Sequence, residues 1–265
     1  MRDSRRKEGS RREKGSRPRP GKKQSRARRG ARTTKGAKRA PRLPEPTPER
    51  LEQARFVLAG LKALYPDARC ELDHHGAFDL LVATILSAQA TDVMVNKIMP
   101  GLMERYPDPE ALARAASAEL EAMIHSTGFF RQKAKSLLGA CGKIVGTFGG
   151  KVPDTMDGLL ELPGVARKTA NVVLGTWFGK NEGIVVDTHV GRLSWRLGLT
   201  WSSRNAKDAV RIEEDLQKII PREEWTFFGH AMTLHGRRLC LARKPRCSSC
   251  PLLKRCPAAS EEEST

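Results

Sequence analysis

Thirteen residues constrain this chain more than any others: Leu162-Pro-Gly-Val-Ala-Arg-Lys-Thr-Ala-Asn-Val-Val-Leu174. Pro163 fixes φ, and Gly164 admits φ values that a side chain forbids, so the first part of the stretch is a turn. Arg167, Lys168, Thr169 and Asn171 then lead into the apolar run Val172, Val173 and Leu174, which reads as the start of a helix. Upstream, Asp154 reads as an N-cap and Met156, Leu159, Leu160 and Leu162 as the apolar face of a short helix. The unit is helix, tight hairpin, helix. Its turn and the first turn of its second helix offer backbone amides that the helix itself cannot satisfy. Those amides and the positive end of the helix dipole suit an anion such as a backbone phosphate. Lys168 places an amine beside that site, and an amine so placed is a candidate nucleophile.

The rest of the chain reads as helices too. Thr47 caps and Pro48 opens a helix that runs to about Leu64, with Leu51, Leu58 and Leu61 as its stripe. Phe78 to Leu86 is apolar nearly all round, as a central core helix should be. Further helices are expected at Asp92 to Arg105, about Glu119 to His125 and about Gln132 to Phe148. After the hairpin they run from about Thr188 to Leu197, Asn205 to Ile219 and Glu223 to Leu239. Only Ile184-Val185-Val186 looks strand-like, and it is too short for a sheet. The fold class is all-α.

Charge separates one segment from this body. Residues 1–42 hold 19 Lys or Arg against 3 Asp or Glu, so they carry most of the formal +18. They contain no Val, Ile, Leu, Phe, Tyr, Trp or Cys. Such a segment cannot build a core, and it reads as a disordered, non-specific nucleic-acid tether. The body is nearly balanced, so any nucleic-acid binding there must come from a local patch and from backbone amides. No signal peptide or membrane-length apolar run is visible, which points to a reducing compartment and away from secretion.

Cys240, Cys247, Cys250 and Cys256 crowd near the C-terminus in the spacing C-x6-C-x2-C-x5-C, among Arg243, Lys244, Arg246, Lys254 and Arg255. Four thiolates can enclose a zinc ion or a cubane cluster, and the spacing by itself leaves both open. Asp187, after three apolar residues and before Thr188, reads as a helix N-cap. A carboxylate held there is also oriented to stabilise positive charge that develops beside it. His74, His75, His230 and His235 read as satisfied or surface histidines rather than metal ligands, and Cys70 and Cys141 as core residues.

The motifs Leu162-Pro-Gly-Val, Arg167-Lys168-Thr169-Ala170-Asn171 and Val185-Val186-Asp187-Thr188-His189 resemble the endonuclease III family of helix-hairpin-helix DNA glycosylases. The resemblance spans roughly residues 45–257. It implies two helical lobes: a continuous one over 70–181 that carries the hairpin, and a second built from 43–69 and 182–257. Residues 258–265 are left as a short acidic tail. It further implies that Lys168 is the nucleophile and Asp187 its assistant, on opposite walls of one cleft. DNA contacts would come from Leu162, Gly164, Val165, Ala166, Arg167 and Thr169 in the hairpin. Gln89, in Leu86-Ser-Ala-Gln-Ala-Thr-Asp92, would fill the gap left by an extruded nucleotide, and the loop Gly128-Phe129-Phe130-Arg131 would supply the apolar wedge, from Phe130 or alternatively Phe129. The four cysteines would hold a structural [4Fe-4S] cluster. One departure stands out: the family usually carries glycine where this chain has Ala166.

The expected activity is a bifunctional glycosylase and abasic-site lyase, acting as a monomer on duplex DNA that contains oxidised pyrimidines or abasic sites. Its expected setting is the cytoplasm and nucleoid of a bacterium or the nucleus of a eukaryote. The rivals are a monofunctional glycosylase of the same superfamily and a non-catalytic DNA clamp that uses the hairpin alone.

Overall fold

The computed structural model describes residues 45–203, 205 and 207–259. The basic segment 1–42 and residues 260–265 of the acidic end lie outside the described residues, and with them the tether. Eleven α-helices and no strand occur among the described residues, and Ile184-Val185-Val186 is irregular.

The first helix shows how local signals set the elements. Thr47 is extended and its hydroxyl accepts from the Arg50 amide at 3.4 Å, so α1 runs from Pro48 to Leu64. Its buried face is Ala54, Val57 and Leu61, with Leu51 and Leu58 only partly covered. Of the expected stripe, Leu61 lies within the buried face, and Leu51 and Leu58 lie at its edge. Gly60 packs directly on Leu252.

In α2 (Ala77–Leu86) every residue from Leu80 to Leu86 is buried, as its all-round apolar character requires. Next come α3 (Asp92–Arg105) and a short α4 (Pro109–Ala113). The latter escaped the sequence reading, although Asp108 caps it through the Ala111 amide at 2.7 Å and Pro109 opens it. Then follow α5 (Ser117–Ile124), α6 (Phe130–Phe148) and α7 (Met156–Leu160). Thr155, not Asp154, caps α7, because its hydroxyl lies 3.2 Å from the Gly158 amide. Asp154 instead accepts from Lys180 at 2.6 Å, and that hydrogen bond holds its carboxyl below the usual range. The chain continues through α8 (Arg167–Thr176), α9 (Thr188–Arg196), α10 (Ala209–Ile219) and α11 (Trp225–Arg238).

Buried apolar side chains gather into two clusters. One draws on α2 to α8, from Leu72 to Leu174. The other joins α1 to the chain beyond Gly183, from Ile184 to Leu252. The helix α8 packs into the first cluster and α9 into the second.

Candidate active-site cleft

The hairpin between α7 and α8 is set by two internal hydrogen bonds, Leu162 N–H to Leu159 O and Val165 N–H to Leu162 O, each 3.1 Å. Gly164 has φ +80°, and a Cβ there would sit 2.5 Å from that of Ser136 on α6, so this position requires glycine twice over. Ala166 has φ −102° and ψ 170°, an extended geometry open to any residue. The alanine is thus no obstacle to the hairpin. No side chain caps α8, which leaves the amides at its start available to an anion.

The hairpin contacts expected from sequence separate into two groups. Leu162 and Val165 are 2% and 8% exposed and belong to the first core. Their amides donate within the turn, and both side chains anchor the hairpin. Gly164, Ala166, Arg167 and Thr169 remain on or near the surface. The Arg167 guanidinium is drawn to Glu213 of α10 at 3.3 Å.

Lys168, exposed in the first turn of α8, and Asp187 line one cleft of about 100 Å³. Asp187 is the N-cap of α9. Its Oδ1 accepts from the His189 and Val190 amides at 2.8 Å each, and Thr233 Oγ1 donates to its Oδ2 at 3.4 Å. One oxygen is thus fully used by the helix and the other only weakly held. Behind them stands α11, from which His230, Thr233, Leu234 and Arg237 also reach the cleft. Arg237 donates to Asp92 at 2.6 Å and also to Glu71. Burial pushes the His230 imidazole down to about 4, so it is neutral at pH 7.

Gln89 lies in the turn between α2 and α3. It is exposed and has φ 58°. In the loop before α6 the two candidate rings part. Phe130 packs against the first core with the His125 ring 4.5 Å away. Phe129, at φ 49°, is 66% exposed. The helix begins at Phe130, which turns that ring inward and leaves its predecessor in solvent.

The four cysteines line a separate cavity of about 30 Å³ with Leu197, His235 and Leu239. Arg196 donates to Cys240 Sγ at 3.3 Å, and His235 Nε2 lies 3.5 Å from Cys250 Sγ. Burial pushes the Cys250 and Cys256 thiols up. Among the described residues no group of three or more His, Cys, Asp or Glu stands ready to hold a metal ion. The four cysteines nevertheless line one cavity. An apolar recess ringed by four thiols and an arginine fits a sulfur-ligated cluster in its donor set.

A profile of the HhH-GPD superfamily, described as base excision DNA repair proteins, matches residues 82–222. Endonuclease III of Synechocystis sp. is 56% identical over 208 residues, which is 78% of this chain and 93% of that protein. The chain belongs to the endonuclease III family. Endonuclease III of Escherichia coli K12 is 39% identical over 194 residues, 73% of this chain and 90% of that one. Among solved structures, a non-covalent endonuclease III–DNA complex superposes with TM-score 0.76 at 42% identity, covering 81% of this chain and 99% of that one. A trapped endonuclease III–DNA covalent intermediate gives 0.75 at 42% identity, covering 80% and 98%.

Sequence reading of this endonuclease III family chain overlooked Thr233 and Arg237 and set His230 aside. The signal was present: 230, 233, 234 and 237 repeat on one face of a helix. What hid it was that nothing local tells a face turned to a cleft from one turned to solvent. No helix among the described residues is long and apolar enough to cross a membrane.

Proposed function

We propose that this chain is a bifunctional DNA glycosylase and abasic-site lyase of base excision repair, acting on duplex DNA. The observation that carries this reading is Lys168 at the open start of α8, in one cleft with Asp187 at the start of α9. A solved relative trapped as a covalent DNA intermediate supports it. Phosphate binds the amides at the start of α8. The damaged nucleotide leaves the stack and enters the cleft, with Gln89 and Phe129 occupying the space it vacates. The Lys168 Nζ lone pair attacks C1′, and the base departs with the glycosidic electron pair. Asp187 stabilises the positive charge that develops on the sugar. The amine then forms a Schiff base as the sugar ring opens. Loss of a C2′ proton expels the 3′ phosphate by β-elimination and cuts the strand. Oxidised pyrimidines are the proposed lesions.

Cys240, Cys247, Cys250 and Cys256 would hold a [4Fe-4S] cluster, which when bound supplies a structural cross-link. The two buried clusters support a division into lobes over 70–181 and over 43–69 with 182–257.

Borohydride trapping on a duplex with one abasic site tests the reading. A covalent adduct is expected. Base release without an adduct would favour a monofunctional enzyme, and binding without either would favour a clamp. Pure protein should carry about four irons per chain and no stoichiometric zinc.

A further inference from the structure

Lys133, in the first turns of α6, is only 5% exposed. Its Nζ donates to two backbone carbonyls, Leu86 O at 2.8 Å and Thr127 O at 2.7 Å. Burial lowers the pKa of its ammonium, and an apolar residue would fill the same space without that cost. What the charge does there follows from the two carbonyls it holds.

Leu86 is the last residue of α2, and the turn after it, closed by Ala90 N–H to Ser87 O at 3.0 Å, carries Gln89 at φ 58°. Thr127 ends the turn that precedes Gly128 at φ 69° and Phe129 at φ 49°. The Lys133 amide also donates to Phe129 O at 3.0 Å. One residue therefore holds the roots of both exposed side chains, and each side chain stands on a left-handed backbone that persists only when its surroundings enforce it. A cation at the C-terminal end of α2 also complements the helix dipole.

We propose that Lys133 is a positioning residue that fixes Gln89 and Phe129 relative to each other, so that the two enter the duplex as one rigid unit. The inference rests on the reading that both side chains intrude into DNA. Charge-assisted hydrogen bonds to the two loops set the spacing between the intruding groups before DNA arrives.

The full-length protein should be titrated with duplex containing a tetrahydrofuran abasic analogue. The variants are Gln89→Ala, Phe129→Ala and their combination, each with and without Lys133→Met. With Lys133 in place, the double substitution should depart from the product of the singles by about tenfold, a coupling of roughly 1.4 kcal/mol. In the Lys133→Met background the effects should simply multiply. Borohydride trapping on single-stranded abasic DNA needs Lys168 but no paired duplex, and Lys133→Met should leave it unchanged. Lys133→Arg keeps the donors and should restore part of the coupling. Independent effects of Gln89 and Phe129 with Lys133 present would overturn the proposal, whether or not Lys133→Met folds. Coupling that survives Lys133→Met, or an equal loss of single-strand trapping, would overturn it too. Absence of trapping on abasic duplex by the unmodified protein would instead fail the proposed activity while leaving the binding cycle readable.

Discussion

The helices α8 and α9 both begin at the cleft, and they begin in opposite ways. No side chain caps α8, and Lys168 stands exposed in its first turn. The helix α9 is closed by Asp187, which accepts from two of its amides. An open helix start is a receptor for an external anion, whereas a closed one has already spent its donors on a carboxylate of its own. The same local feature thus leaves uncapped amides, the proposed phosphate site, on one wall and an oriented carboxylate on the other. A cationic transition state forming between the walls would meet an anchored backbone and an oriented carboxylate.

The largest expected effect breaks the open wall. Lys168→Gln should abolish the trapped adduct and slow base release by roughly 10⁴-fold or more, the scale on which loss of a nucleophile acts. Binding to damaged duplex should be largely retained; full trapping by this variant would place the nucleophile elsewhere. On the closed wall, Asp187→Asn keeps a capping side chain and should leave stability nearly unchanged. Single-turnover base release should nevertheless fall by roughly 10²-fold. Asp187→Ala should add a stability loss of about 1 kcal/mol in urea unfolding. A normal rate in Asp187→Asn would reduce the residue to a cap.

A subtler difference lies behind the walls. His230, beside Asp187, is kept neutral by burial, with its pKa lowered from 6.5 to about 4. The unfolded chain therefore binds a proton that the folded one refuses between those values. Stability should fall as pH drops from about 6.5 toward 4, by on the order of 1–2 kcal/mol between pH 7 and pH 5. His230→Gln should remove about half of that slope in urea unfolding, because burial pushes the His235 imidazole down to about 4 as well. An unchanged slope would show that the wall is wetter than its burial implies.

The smallest effect would make the two helix starts alike. Ala166 already has the extended geometry of an N-cap. Ala166→Asp should cap α8 and raise stability by about 0.5–1 kcal/mol. The same carboxylate would occupy the anion site and weaken duplex binding by roughly fivefold, while Ala166→Gly should change binding little. Tighter binding by Ala166→Asp would mean that phosphate does not sit at this helix start.

Much of the fold was legible because helix starts and stops are local events. Thr47 with Pro48, the apolar run to Leu86 and the hairpin around Gly164 each depend on residues within a turn or two of one another. The exceptions have local causes as well. Asp154 and Thr155 compete to cap the same helix, and backbone geometry gives the position to Thr155.

The sequence by itself determined an all-helical chain, the hairpin, the pair Lys168 and Asp187, and the crowding of four cysteines. The helices, the hairpin and the cysteine crowding follow from residue type and near-neighbour spacing, whereas the pairing of Lys168 with Asp187 follows from the family resemblance. Only the tertiary structure decided which side chains a helix turns toward the cleft. It buried Leu162 and Val165, exposed Phe129 in place of Phe130, and brought His230, Thr233 and Arg237 to the wall. It also tied Lys133 to Leu86 and Asp187 to Thr233, across 47 and 46 positions of chain. Hydrophobic periodicity shows that a face is apolar or polar. It carries no information about which distant face will meet it, and that meeting is what makes the site.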